Sequence, residues 1–191
     1  MPHLILIKHS LPEIIPNLPA REWHLSDEGR ARCQILAKEI AMYSPRAIFS
    51  SVESKARETA QIVSAQLGVP FEIADDLHEH LRASVGYTSQ AQFENSLRGF
   101  FAHPRKLVFG DETADAAHAR FARAVNGIRA AHLNETVGIV AHGTVIALFV
   151  ARAATVAPFD FWKRMGLPAF VVMALPNLEL KRVCETIAPG Y

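Results

Sequence analysis

Two histidines, two lysines and one glutamate stand in this 191-residue chain where their chemistry could be used together. His9 follows Leu4-Ile5-Leu6-Ile7-Lys8, an aliphatic run of the kind that makes a short strand buried on both faces. His142 follows a second such run, Val137 to Ala141. Lys55 comes just after a third, Ala47 to Ser50, and Glu79 after a fourth, Val69 to Ile73. In an open α/β sheet, ligands bind just outside the carboxyl ends of the strands, so these groups should converge on one crevice. Two imidazoles, two ammonium groups and a carboxylate suit phosphoryl transfer. There a protein must position the group, neutralise its equatorial oxygens and supply a nucleophile. A nucleophilic histidine needs its attacking nitrogen unprotonated and its other N–H held by an acceptor, commonly a backbone carbonyl. The leaving alcohol needs a proton, which Glu79 could give if burial or anionic neighbours raise its pKa.

The elements that must position these groups follow from the pattern. After the first strand, Pro12, Pro16 and Pro19 exclude helix and central strand, so a surface loop carries Asn17, Arg21 and His24 past the sheet's carboxyl edge. Ser26 caps a helix whose first turn holds Asp27 and Glu28 and whose buried stripe is Cys33, Leu36, Ala37, Ile40 and Ala41; Pro45 stops it. A second helix runs from about Ser54 to Leu67, ended by Gly68. This repeat of strand, polar end and helix predicts an α/β fold built on a mostly parallel sheet. Residues 77–110, with Gly86, Gly99, Pro104 and Gly110, read as a small insertion over the sheet's carboxyl edge, carrying a helix from Ser89 to Phe101. A long helix from about Thr113 to His132, an apolar helix from Val145 to Ala153 and a short one near Phe159 to Arg164 follow. Ala169 to Leu175 and Leu178 to Val183 predict a closing antiparallel pair. The length fits one domain, 1–191.

Composition excludes several classes. Twenty basic against nineteen acidic residues give no reason to expect nucleic acid or a membrane surface as partner. No basic leader with an apolar core opens the chain, and no apolar stretch approaches spanning length, so a cytoplasmic protein is expected. Cys33 and Cys184 are too far apart in sequence, and too differently placed, to suggest a disulfide framework or a zinc site. His78-Glu79-His80 has the residue types of a metal site, yet no second cluster completes it, and no metal is expected. Arg57 is assigned to a helix surface, Ser50 to backbone satisfaction, and Phe93, Phe100 and Phe101 to the core.

Several of these segments resemble the histidine phosphatase, or phosphoglycerate mutase-like, superfamily, and the resemblance covers most of the chain. Leu6-Ile7-Lys8-His9-Ser10 is similar to that family's strand ending in Arg-His-Gly. Leu25-Ser26-Asp27-Glu28-Gly29-Arg30 is similar to its Leu-Thr/Ser-x-x-Gly helix start. The stretch from Ser50 to Ala60 resembles its Ser-Ser-x-x-x-Arg-Ala-x-x-Thr-Ala segment, the most specific match. Asp76-Leu77-His78-Glu79 and Val140-Ala141-His142-Gly143-Thr144 resemble its acid-bearing segment and second His-Gly motif. The resemblance implies a three-layer sandwich and a cofactor-independent phosphomonoester hydrolase acting through a phosphohistidine on His9. Glu79 is then acid and base, and His142 contacts the phosphoryl group. Lys8, Lys55, Ser10, Gly143 and Arg21 are implied to bind phosphate. The substrate would be a small phosphorylated compound or a phosphoprotein, and the apolar closing strands leave room for a homodimer. Lys8 and Lys55 stand where the family has arginines. They keep the charge but lose the planar fork that grips two phosphate oxygens. If each forfeits one charge-assisted hydrogen bond of roughly 1.5–3 kcal/mol, the combined loss of about 3–6 kcal/mol slows turnover roughly 10²–10⁴-fold. The double replacement also motivates a second reading, a phosphate-binding or interaction module with little turnover. A mutase is a third, disfavoured by the short insertion after Glu79.

Overall fold

Six strands make one sheet in the order β3-β2-β4-β1-β5-β6. They are β1 (His3–Lys8), β2 (Ala47–Ser50), β3 (Phe71–Ile73), β4 (Val137–Ala141), β5 (Ala169–Ala174) and β6 (Glu179–Cys184). The computed structural model describes residues 1–86 and 88–188; Tyr87 and residues 189–191 of the expected domain lie outside the described residues. β1, β4, β2 and β3 run parallel, and β5 and β6 add an antiparallel margin. The fold is therefore mixed α/β with a mostly parallel central sheet flanked by helices.

β1 sits in the interior of the sheet because its four central residues are all aliphatic and cannot face water. Leu4, Ile5, Leu6 and Ile7 are all fully buried, and the pleat sends alternate residues to opposite faces. Ile5 and Ile7 join Cys33 and Leu36 of α1 (Asp27–Ala41) and Ala60 and Val63 of α2 (Ser54–Leu67). Leu4 and Leu6 join the opposite layer with Phe121 of α4 (Ala114–Ala131) and Ile146 of α5 (Gly143–Ala153). That layer also receives α3 (Gln90–Ala102) through Leu97 and Phe100, and α6 (Pro158–Arg164) through Phe159 and Phe161.

Local chemistry sets the boundaries. Ser26 accepts from the Gly29 N–H at 3.0 Å and starts α1, and Gly68, at φ 67°, ends α2 in the left-handed conformation glycine tolerates. Ser89 and Gln92 form a capping box at the start of α3. Two expectations shift. The third strand begins at Phe71 rather than Val69, since Pro70 has no N–H to give to a ladder and only its carbonyl accepts, from Ile48. α5 begins at Gly143 rather than Val145, so His142 itself is the N-cap. The proline-rich loop folds back through a Pro12–Leu25 bridge and a single 3₁₀ turn, Ala20–Glu22.

Candidate active site

The parallel ladder extends one step past the strands and lines up the groups at their ends. The His9 N–H donates to the Ala141 carbonyl at 3.0 Å, and the Ser51 N–H to the Val140 carbonyl at 3.0 Å. His9, His142 and Ser51 are thus brought side by side on three adjacent strands. The rings of His9 and His142 meet edge to face with centroids 5.2 Å apart, both buried. His9 Nδ1 lies 2.8 Å from the Ser10 carbonyl. A carbonyl only accepts, so Nδ1 carries the hydrogen and the Nε2 lone pair is left for attack. Burial, followed by the positive neighbourhood of His142 and Lys55, holds the His9 pKa well below the usual histidine range. The ring is neutral at neutral pH, which is the state a nucleophile needs.

His142 is also neutral there, its pKa lowered to about 4, chiefly by burial. Its Nε2 faces the Ser51 hydroxyl at 2.9 Å and a Glu53 carboxylate oxygen at 3.5 Å. Lys8 Nζ donates to the Met165 carbonyl at 2.7 Å, and burial lowers its pKa to about 8 against an opposing pull from Glu79. Lys55 Nζ spends two of its three hydrogens inside the protein, on the Ala20 carbonyl and on Glu53, each at 2.7 Å. Burial alone would raise the Glu53 pKa. His142, Lys55 and the hydrogen bond from the Glu79 N–H outweigh it, so Glu53 is ionised.

Glu79 is held at every atom that can accept. One carboxylate oxygen takes the His80 N–H at 2.9 Å; the other takes the Thr144 N–H and hydroxyl at 3.2 and 3.1 Å, at the start of α5 where the helix dipole favours an anion. The loop carrying it is clamped from beneath. Arg120, on α4, donates to the carbonyls of Asp76, His78 and Glu79 at 2.8, 3.0 and 3.2 Å, and pairs with Glu112 at 2.7 Å. Burial would raise the Glu79 pKa, but Arg82, His142, His80 and the His80 N–H together lower it. The condition for proton donation, a raised pKa, is not met without a ligand: this carboxyl is ionised.

A family profile described as histidine phosphatase superfamily (branch 1) matches residues 19–176. The chain belongs to the histidine phosphatase superfamily. The match begins after β1, so the placement of His9 rests on the sheet rather than on that profile. Solved structures agree on the fold. Phosphoserine phosphatase from Entamoeba histolytica, in complex with 3-phosphoglyceric acid, superposes with TM-score 0.77 at 16% identity over 97% of this chain and 98% of its own. YhfR of Bacillus stearothermophilus gives 0.76 at 21% identity, over 97% and 96% of the two chains. A mycobacterial glucosyl-3-phosphoglycerate phosphatase with inorganic phosphate gives 0.73 at 20% identity, over 98% of each. A search of curated proteins finds no match.

Within this histidine phosphatase fold, His9, His142, Lys8, Lys55 and Glu79 are joined by direct contacts or by the charge they exert on one another. Gly143 lies against Lys8 and Trp162, leaving only 3.1–3.3 Å to any Cβ placed there. Two expected phosphate ligands are turned elsewhere. The Ser10 hydroxyl donates inward to the Gly29 carbonyl at 2.7 Å, and Arg21 is an exposed residue whose guanidinium faces Glu22 at 3.6 Å; only the carbonyl of its neighbour Ala20 reaches Lys55. Arg82, not Arg21 or the exposed Arg57, is the arginine whose charge acts on Glu79 and His142. His80 is buried between Phe100 and Phe109, while Phe93 is half-buried beside Trp162. Glu53 and Arg120 are the groups that sequence reasoning missed. A cleft of about 350 Å³ opens at the amino ends of the strands, and none of the expected site residues line it.

Proposed function

We propose that the protein is a phosphomonoester hydrolase working through a phosphohistidine on His9. The single observation that carries this reading is the held tautomer: with Nδ1–H bonded to the Ser10 carbonyl at 2.8 Å, a neutral His9 offers Nε2 beside His142. In the first step, Nε2 bonds to phosphorus as the bond from phosphorus to the leaving oxygen breaks. Glu79 gives that oxygen its proton. The carboxyl is ionised in the free protein, so the proton must be taken up with the substrate, whose dianionic phosphoryl group raises the pKa of an adjacent carboxylate. In the second step Glu79, again a base, removes a proton from water as the water oxygen displaces Nε2 from phosphorus.

Lys8 and Lys55 stand at the family's two phosphate-binding arginine positions and neutralise the phosphoryl oxygens, to which the neutral His142 ring adds a hydrogen bond. The phosphoserine and glucosyl-3-phosphoglycerate phosphatases that share the fold act on small phosphorylated compounds, and a small phosphomonoester is the substrate class proposed here. A binding module with little turnover is the second reading, favoured by Lys55 being engaged by Glu53.

The test is hydrolysis of an aryl phosphate together with trapping of an acid-labile, alkali-stable phosphoryl label on the protein. Wild type should give both and His9→Ala neither. Turnover no greater than that of His9→Ala, across phosphorylated sugars, amino acids and peptides, would sink the hydrolase reading.

A further inference from the structure

Among the described residues, Glu53 is the one carboxylate in contact with the groups assigned to the phosphoryl oxygens. One of its oxygens lies 2.7 Å from Lys55 Nζ, and the other lies 3.5 Å from His142 Nε2 and 2.9 Å from the Glu79 N–H. Its side chain is only 11% exposed and that of Lys55 9%. Glu53 is also the N-cap of α2, and its side chain makes no capping bond there; it turns into the site instead. An acceptor at the N-cap is ordinarily worth about 0.5–2 kcal/mol to a helix, so the fold forgoes that stabilisation and uses the carboxylate elsewhere. A carboxylate and a phosphoryl group present the same thing to Lys55 and His142, a pair of anionic oxygens at hydrogen-bonding distance.

We propose that Glu53 is a resident counter-anion of the phosphoryl cradle, which an incoming phosphate must displace from Lys55 and His142. This rests on the phosphatase reading for the identity of the cradle, though not on turnover. Glu53 is a positioning residue with two opposed effects. Without substrate it holds Lys55, His142 and the Glu79 loop in register. Against substrate it competes, so the site binds a free phosphate dianion weakly and releases it readily once formed. One hydrogen on Lys55 and two on Lys8 are left to meet the phosphoryl group before Glu53 gives way.

The experiment is calorimetric titration of inorganic phosphate into wild type, Glu53→Gln, Lys55→Met and the double variant, with kcat and KM on an aryl phosphate alongside. Glu53→Gln should bind phosphate about tenfold more tightly, because one like charge at close range is removed, while its kcat falls. The gain should shrink in the Lys55→Met background, where there is no ammonium to release. An equal gain in both backgrounds, or no gain in a folded Glu53→Gln, overturns the proposal. Should Glu53→Gln fail to fold, wild-type crystals soaked in phosphate decide: Lys55 must be found on a phosphate oxygen with Glu53 displaced, and Glu53 still on Lys55 beside bound phosphate overturns it. Tighter phosphate binding without any turnover in wild type would refute the hydrolase reading and leave this proposal standing. Turnover in wild type with unchanged phosphate binding in the variants would do the reverse.

Discussion

Lys8 offers the sharpest test of how this site holds a phosphoryl group. Its half-buried side chain passes Gly143 and its ammonium is bonded to the Met165 carbonyl; burial has brought its pKa down to about 8. The sign follows directly. The protonated form binds the dianion, so affinity is full below pH 8 and is lost as pH rises through that value. At pH 9 about one lysine in ten is still charged, and kcat/KM, which reports the free enzyme, should have fallen about tenfold from its plateau, or about 1.4 kcal/mol. The phosphate's own second ionisation, near pH 6, is complete well below this range and adds nothing to the limb. Once substrate is bound the dianion holds the proton on Lys8, so kcat should fall much less. Lys8→Arg removes the titration, because a guanidinium stays charged throughout, and restores the fork that grips two oxygens. Its kcat/KM on an aryl phosphate should be flat from pH 7 to about 9.5 and at least equal to wild type at pH 7. A wild-type profile with no basic limb, or a Lys8→Arg profile that falls along the same curve, would refute the assignment of Lys8 to the phosphoryl oxygens.

Three further substitutions probe the scaffold. Arg120→Met strands Glu112 and frees three carbonyls of the Glu79 loop; stability should drop by about 3–5 kcal/mol in urea unfolding, and kcat should fall with it. Gly143→Ala puts a methyl 3.1 Å from Trp162 Nε1 and 3.3 Å from Lys8 Cε, so the protein should fold while KM rises several-fold as the lysine is pushed aside. Gly29→Ala drives a methyl into the Leu11 carbonyl oxygen, backbone that cannot yield cheaply, and should cost about 1–3 kcal/mol or more in urea unfolding.

The cluster of His9, His142 and Ser51 was legible because strands that end abruptly in polar residues are informative. Four apolar runs stop at Lys8-His9, Ser50-Ser51, Asp75-Asp76 and His142, and the parallel sheet brings the three central ends together. Glu53 was not legible. In sequence, Val52-Glu53-Ser54 is an acidic helix start of the commonest sort, and its meaning depends on His142, which is distant along the chain. Arg120 likewise reads as one more charge on a solvated helix face until the loop from Asp76 to Glu79 is laid across it. The direction of the Glu79 shift could not be read for the same reason. Burial can be guessed from a motif, but not that Arg82, three residues on, returns its charge to the carboxylate. Ser10 shows the opposite limit: it follows His9 directly in sequence, yet its hydroxyl turns to the Gly29 carbonyl.

The central place of β1 has a consequence for the making of the molecule. Leu4 pairs with Val137 on one side and Met173 on the other, so this strand is synthesised before either partner exists. At about 5–20 residues per second, some 7–27 s pass between translation of Leu4 and of Val137. Throughout that interval a wholly aliphatic segment, the one that will carry His9, has no partner strand and both edges open to other chains. The helix pair α1 and α2 and strands β2 and β3 are complete by then, but the gap they must leave for β4 keeps them from closing over it. The end of the sheet that carries the candidate site therefore cannot close until β4 has been made, and the segment that bears His9 is the strand that waits longest for its partners.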